Sequence, residues 1–330
     1  MTGQPGAAQG ALTRRALTLG AAAVAASSAL PLPAQAKMSP VDRALQVKGK
    51  TTWSESLMEL YFDEQVRNGF SIRISRFPDF DLSWVWLQAL LDGKFVSYAD
   101  QALRSDAMHN GPDAPNGDYS VPGVTVGARR LGAARDMEEI TFHADLGAFQ
   151  DTVGHNGQGP VRVKLSGSFR PGLLRANSPP GRFERLGRVD ATLQIGNQHR
   201  KMSGQAKAHE QSQVKPRFEG PFTYAMLWGK DASLVGLSSP ERQYGDVEIG
   251  GRDTPLDRVD FERFSTTRRF RGMLAGGGEI SGLARTIVAY EVPVFDRMWN
   301  GQIVSAQIGQ AEVVGMINDW RPESQVYATF

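Results

Sequence analysis

The chain has 330 residues, no cysteine, and 37 Lys and Arg set against 35 Asp and Glu, for a formal charge of +2. A small net charge with the two signs interspersed argues against the basic stripe of a nucleic-acid-binding protein. Without thiols there is no cysteine nucleophile, no thiolate metal site, no iron–sulfur cluster and no disulfide.

In chain order, residues 1–36 read as an export leader. A polar opening ends at Thr13, the basic pair Arg14-Arg15 follows, and Ala16 to Leu30 is a weakly apolar stretch. Pro31-Leu32-Pro33 breaks it ahead of Ala34-Gln35-Ala36, a small-x-small box that predicts cleavage near Ala36. The order Leu12-Thr13-Arg14-Arg15-Ala16-Leu17 resembles the twin-arginine pattern. That resemblance implies a periplasmic destination, with the twin-arginine (Tat) translocase as partner during export. An ordinary secretory leader and an uncleaved anchor are the alternatives. The stretch falls short of the ~20 strongly apolar residues that a spanning helix needs, and nothing later in the chain is long and apolar enough to cross a membrane.

The remainder, from Lys37, reads as strands joined by tight turns. Val41 to Val47 predicts a short turn, and Leu57 to Val66 fits helix or strand equally. Ser71 to Phe77 alternates polar and apolar residues, as a half-buried strand does. Ser83 to Leu91 and Phe95 to Tyr98 flank Asp92-Gly93, a strong hairpin signal. Asn110 to Gly123 and Pro171 to Gly181 are rich in turn residues and predict loops. Val161 to Leu165 and Val189 to Ile195 alternate again, the latter meeting the turn pair Gly196-Asn197. Further hairpins are expected around Gly229-Lys230-Asp231 and Gly276-Gly277-Gly278. The basic run Arg268-Arg269-Phe270-Arg271 reads as the solvated face of a strand. Hairpins at such short intervals predict an all-β protein with few short helices, closing into antiparallel barrels or a sandwich. The Pro171–Gly181 loop would divide it into two β domains, at 37–176 and 177–330.

Trp53-Ser54-Glu55-Ser56, Tyr61-Phe62-Asp63 and Gly69 to Ile74 resemble the opening of the lipocalin-like family of carotenoid 1,2-hydratases (hydroxyneurosporene synthases) and AttH-type proteins. Gly181-Arg182-Phe183-Glu184, Gly187-Arg188-Val189, Gly204 to Arg217, Phe222 to Ala225 and Val235-Gly236-Leu237 follow in the same order. The resemblance implies two successive lipocalin-like barrels or half-barrels that hold a small lipophilic or aromatic molecule. It also implies chemistry at a double bond without a redox cofactor. Where related sequences carry an Arg-Asp-His-Ser-Trp-Gly run, this chain has Lys207-Ala208-His209-Glu210-Gln211-Ser212, which keeps only the histidine.

His209 is the best acid/base candidate, because an imidazole both takes and returns a proton near neutral pH. Its neighbour Glu210 could fix its tautomer, although adjacent strand residues point to opposite faces. The plain alternative is a surface histidine in a polar turn. Tyr61 and Asp63 share a face of an extended segment and could assist proton transfer; the alternative is a core tyrosine beside a turn aspartate. Trp84 and Trp86, and Tyr224 and Trp228, would wall an apolar substrate pocket or simply fill a core. The other histidines form no metal-ligand spacing, and no nucleophile elbow or phosphate loop is present. The expectation is a cofactor-independent lyase of the hydratase or dehydratase type acting on a terpenoid or aromatic compound. A carbon–carbon lyase or isomerase on a phenolic compound would use the same residues, and a non-enzymatic lipocalin-like carrier is the rival. An exported protein lacks access to cytoplasmic nicotinamide pools, which favours chemistry by side chains alone.

Overall fold

The structure, a computed structural model, describes residues 53–321 apart from 107, 176–177, 215–220 and 295–296. The leader at 1–36 and the turn expected at 41–47 lie outside the described residues. Strands β1 (Ser54–Phe62), β2 (Gly69–Phe77), β3 (Leu82–Leu91), β4 (Lys94–Leu103), β5 (Asn116–Asp118), β6 (Thr125–Leu131), β7 (Glu139–Ala148), β8 (Val161–Leu174), β9 (Arg182–Ile195) and β10 (Gln198–Gln213) form one antiparallel sheet. Its order is β4-β3-β2-β1-β10-β9-β8-β7-β6-β5. The sheet curls until Ser97 on β4 exchanges two 2.8 Å backbone hydrogen bonds with Phe149, just past β7. Strands β11 (Phe222–Trp228), β12 (Ala232–Ser238), β13 (Gln243–Ile249), β14 (Arg252–Phe261), β15 (Thr267–Leu274), β16 (Glu279–Val294), β17 (Arg297–Ile308) and β18 (Ala311–Arg321) follow as a closed barrel, with β11 paired to β18. One 3-10 turn, Pro78–Phe80, is the sole helical element among the described residues.

The turn chemistry explains the hairpins. Asp92 and Gly93 both take positive φ, 52° and 81°, as a two-residue hairpin turn requires. Gly276, Gly277 and Gly278 lie at φ 90–100°, a run that only glycine adopts freely.

Side-chain alternation sorts the apolar residues into three clusters. Leu57 and Tyr61 of β1 point into the first sheet with Phe70, Phe142 and Leu193, while Ala225, Leu227 and Phe270 fill the closed barrel. The intervening residues Met58, Leu60 and Phe62 face the other way and meet Met226, Trp228 and Trp299 of the barrel. β1 is therefore buried on both faces, so it shows no alternation of polarity and is a strand although its pattern also fits a helix. Each Met or Phe buried there contributes about 1.5–3 kcal/mol of transfer free energy.

Four sequence expectations are corrected. The division at 176/177 falls inside the first sheet, because β9 and β10 continue its pairing from β8 on to β1. The two sheets part instead between β10 and β11. Residues 171–174 belong to β8, and a register shift between Pro171 and Leu174 relieves the ladder of the missing proline N–H. The 110–123 loop carries a short strand, β5. Arg269 and Arg271 are solvated, but Arg268 is buried and ion-paired with Asp319 at 2.6 Å.

Candidate active site

One cross-strand row of the first sheet supplies half of the site. Trp86 on β3 lies opposite Arg73 on β2, Arg73 opposite Met58 on β1, Met58 opposite His209 on β10, and His209 opposite Glu184 on β9. The barrel supplies a second row. Tyr244 on β13 lies opposite Leu237 on β12, Leu237 opposite Tyr224 on β11, Tyr224 opposite Asn318 on β18, Asn318 opposite Gly301 on β17, and Gly301 opposite Tyr290 on β16. Between the rows is a cavity of about 350 Å³ whose wall includes Met58, Arg73, Arg182, His209, Phe222, Tyr224, Met226, Leu237, Tyr244, Trp299 and Asn318. Gly301 makes room for the Tyr290 ring, which a Cβ at that position would overlap. The Tyr290 hydroxyl thereby reaches Asn318 Oδ1 at 3.3 Å.

The Glu184 carboxylate, 1% exposed, organises the charges behind the cavity wall. Oε1 accepts from Arg182 Nε at 2.6 Å, from the Tyr224 hydroxyl at 2.6 Å and from His209 Nδ1 at 2.9 Å, while Lys207 Nζ donates to Oε2. Burial alone would raise this carboxyl; His209, Lys207 and Arg182 outweigh it and hold the group well below the usual carboxylate range. Burial is the largest influence on His209 and pushes its pKa down; Glu184 opposes the shift without overcoming it, and Arg182 and Lys207 add to it. His209 is thus neutral at neutral pH. An ionised Glu184 can only accept, so the imidazole proton sits on Nδ1, and Nε2 is left with its lone pair and no hydrogen-bond partner among the described residues. Burial lowers Lys207 to about 8, against the pull of Glu184.

Arg73 and Asn318 also line the cavity. Arg73 is 8% exposed, and its Nε donates to Ser75 Oγ at 3.2 Å. Its guanidinium lies 5.5 Å and 5.8 Å from the ring centres of Trp86 and Trp299. No carboxylate among the described residues lies within ion-pair distance of it. Burial lowers it to about 10, so it remains charged at neutral pH. Asn318, 1% exposed, accepts on Oδ1 from Tyr290 and from Trp299 Nε1 at 3.2 Å, while its Nδ2 has no partner among the described residues.

The sequence candidates divide between two places. His209 and Tyr224 meet at the cavity through Glu184. Trp86 stands behind Arg73 and Trp299, 5.5 Å from the Trp299 ring centre, and Trp84 stacks on Trp86 one layer further back. Tyr61, Asp63 and Trp228 instead line a separate cleft of about 940 Å³. Tyr61 points into the first sheet because it is an odd number of residues from Met58, and Asp63 caps the β1–β2 turn by accepting from the backbone N–H of Arg67 at 2.8 Å. Convergence of Tyr61 and Asp63 with His209 is therefore corrected. Glu210 faces the interior of the first sheet and accepts from the Tyr119 hydroxyl at 2.8 Å, so Glu184 takes the place expected of it beside His209. Residue-by-residue reading also missed Arg73, Arg182, Lys207, Trp299 and Asn318, which become neighbours only through pairing across strands.

Fold and site together define a lipocalin-like, all-β protein with a ligand-sized cavity between two successive antiparallel units. The fold is similar to that in a crystal structure of CghA with Sch210972, at a TM-score of 0.54 and 13% identity, over 82% of this chain and 89% of that one. It is also similar to kievitone hydratase from Nectria haematococca, at a TM-score of 0.50 and 9% identity, over 82% and 89% of the two chains. No family model and no curated protein sequence matches the chain.

Proposed function

We propose that the chain is a cofactor-independent lyase of the hydratase or dehydratase type, acting on a hydrophobic small molecule held between the two units. The observation that carries this reading is the buried Glu184–His209 pair, which leaves an unprotonated Nε2 at the wall of a cavity of mixed polar and apolar lining. A neutral imidazole whose other nitrogen is held by a carboxylate is suited to take a proton from water and return it to carbon. Met58, Phe222, Met226 and Trp299 limit bulk water around that step. The name of kievitone hydratase, a protein of similar fold, agrees with the reading. A carbon–carbon lyase or isomerase on a phenolic compound would draw on the same base.

The test is incubation of the purified protein with a panel of conjugated alkenes and phenolic compounds in isotopically labelled water, following product mass and retention time. Gain or loss of one water, falling at least 100-fold in His209→Gln, is the expected result. Saturable binding with no change of mass or retention for any compound would assign a carrier instead. Undiminished turnover by His209→Gln would remove His209 from the mechanism.

A further inference from the structure

The cavity holds more than a base. Arg73 presents a charged guanidinium with no carboxylate partner among the described residues. It lies against the tilted pair formed by Trp86 and Trp299, at 5.5 Å and 5.8 Å from their ring centres. Trp299 also donates to Asn318, whose orientation is fixed because Oδ1 accepts from both Trp299 and Tyr290. That orientation turns the unpartnered Nδ2 donor away from those two residues, in a side chain that is 1% exposed and lines the cavity. Buried donors without acceptors are costly unless a ligand supplies the acceptor. Arg182, by contrast, already has its charge compensated by Glu184, which its Nε contacts at 2.6 Å, and its guanidinium covers the Tyr224 ring at 4.4 Å. At the rim, exposed Glu241 and Arg242 carry opposite charges.

We propose that Arg73 and Asn318 Nδ2 form an oxyanion site, and that the substrate is an α,β-unsaturated carbonyl compound or its β-hydroxy hydrate. This deepens the proposed lyase reading and rests on it. A cation fixed in the cavity wall opposes a carbocation and favours negative charge developing on oxygen. In the hydration direction, a water O–H bond breaks and its proton goes to His209 Nε2, while the water oxygen bonds to the β-carbon. The alkene pair then forms the bond between the α-carbon and the carbonyl carbon, and the carbonyl pair moves onto oxygen as an enolate held by Arg73 and Asn318. The proton passes from Nε2 to the α-carbon, the carbonyl re-forms, and one water has been added with nothing oxidised or reduced. Dehydration is the reverse.

Isothermal calorimetry on the full chain with 2-naphthoate, 2-acetylnaphthalene and 2-ethylnaphthalene tests the site without requiring turnover. Binding should weaken in that order. Arg73→Met should weaken 2-naphthoate by roughly 10–100-fold, the value of a charge-assisted hydrogen bond, and leave 2-ethylnaphthalene unchanged. Arg73→Lys should recover part of the loss, and Asn318→Leu should weaken the ketone with little effect on the hydrocarbon. If Arg73→Met fails to fold, the ligand order in the unaltered chain and the Asn318→Leu result decide the matter. Equal binding of all three ligands, or naphthoate binding indifferent to both substitutions, would overturn the oxyanion site even if the lyase reading stands. The expected order in a protein without turnover would keep the oxyanion site and sink the lyase reading.

Discussion

At the scale of single residues, the site depends on one carboxylate answering several donors. Glu184 has Lys207 and Arg182 buried against it, and removing its charge leaves both cations uncompensated. Glu184→Gln is expected to cost about 3–5 kcal/mol of stability, read by urea denaturation. Glu184 acts through His209 as a positioning residue, so its loss has a signature beyond instability. The anion favours the imidazolium, and without it the His209 pKa falls further, so the acid limb of the pH–rate profile moves to lower pH. His209 itself links stability to pH. Its folded pKa lies below the ordinary value of about 6.5, so above that pH neither state binds its proton and the residue contributes no dependence. Below it the unfolded chain takes up a proton that the folded chain refuses, and stability falls by at most about 1.4 kcal/mol per pH unit. The difference between the unaltered chain and His209→Gln isolates that slope.

At the scale of strands and turns, much of the architecture is legible in the sequence and the reasons are local. Asp92-Gly93, Gly196-Asn197 and the triple glycine at 276–278 announce their hairpins through backbone geometry. The Gly196-Asn197 turn also fixes register, since Glu184 and His209 lie equally far from it on either side and so must pair. The central feature of the site was therefore encoded in a turn, although neighbour-by-neighbour reading points to Glu210. The break between sheets was not legible, because Pro171 and the glycines after it look like a linker while a bulge lets the strand continue through them. Burial of β1 on two sides erased its alternation, and no local pattern says that Arg73 will sit opposite Met58. The barrel half of the site makes its own prediction. Gly301→Ala would push the Tyr290 ring off Asn318, costing about 1–3 kcal/mol by overpacking. It should weaken 2-acetylnaphthalene binding by calorimetry while leaving the far-ultraviolet circular dichroism spectrum unchanged.

At the scale of the whole molecule, neither unit holds the site alone. The base and the Arg73 guanidinium come from the first sheet, whereas Tyr224, Trp299 and Asn318 come from the barrel. Arg175, at the end of β8, reaches across to Asp253 and Ser233 on the barrel and helps hold the two in register. We propose that this assembly works in the periplasm after removal of residues 1–36. Changing Arg14 and Arg15 together to lysine should trap the full-length chain in the cytoplasm, followed by cell fractionation. Intact mass of the exported protein should place its first residue at Lys37. Unchanged export of the double variant would assign an ordinary secretory leader.

The pairing of β1 with β10 also sets a timetable. Ser54 and Gln213 are 159 positions apart, yet they lie side by side in the middle of the first sheet. At roughly 5–20 residues per second, β1 waits about 8–30 s on the ribosome for its partner. Throughout that interval its apolar face and one hydrogen-bonding edge stay open, inviting pairing with other chains. Closure of so long a loop is intrinsically slow as well. A route that exports proteins already folded would let that wait end in the cytoplasm, where chaperones can shield the open edge.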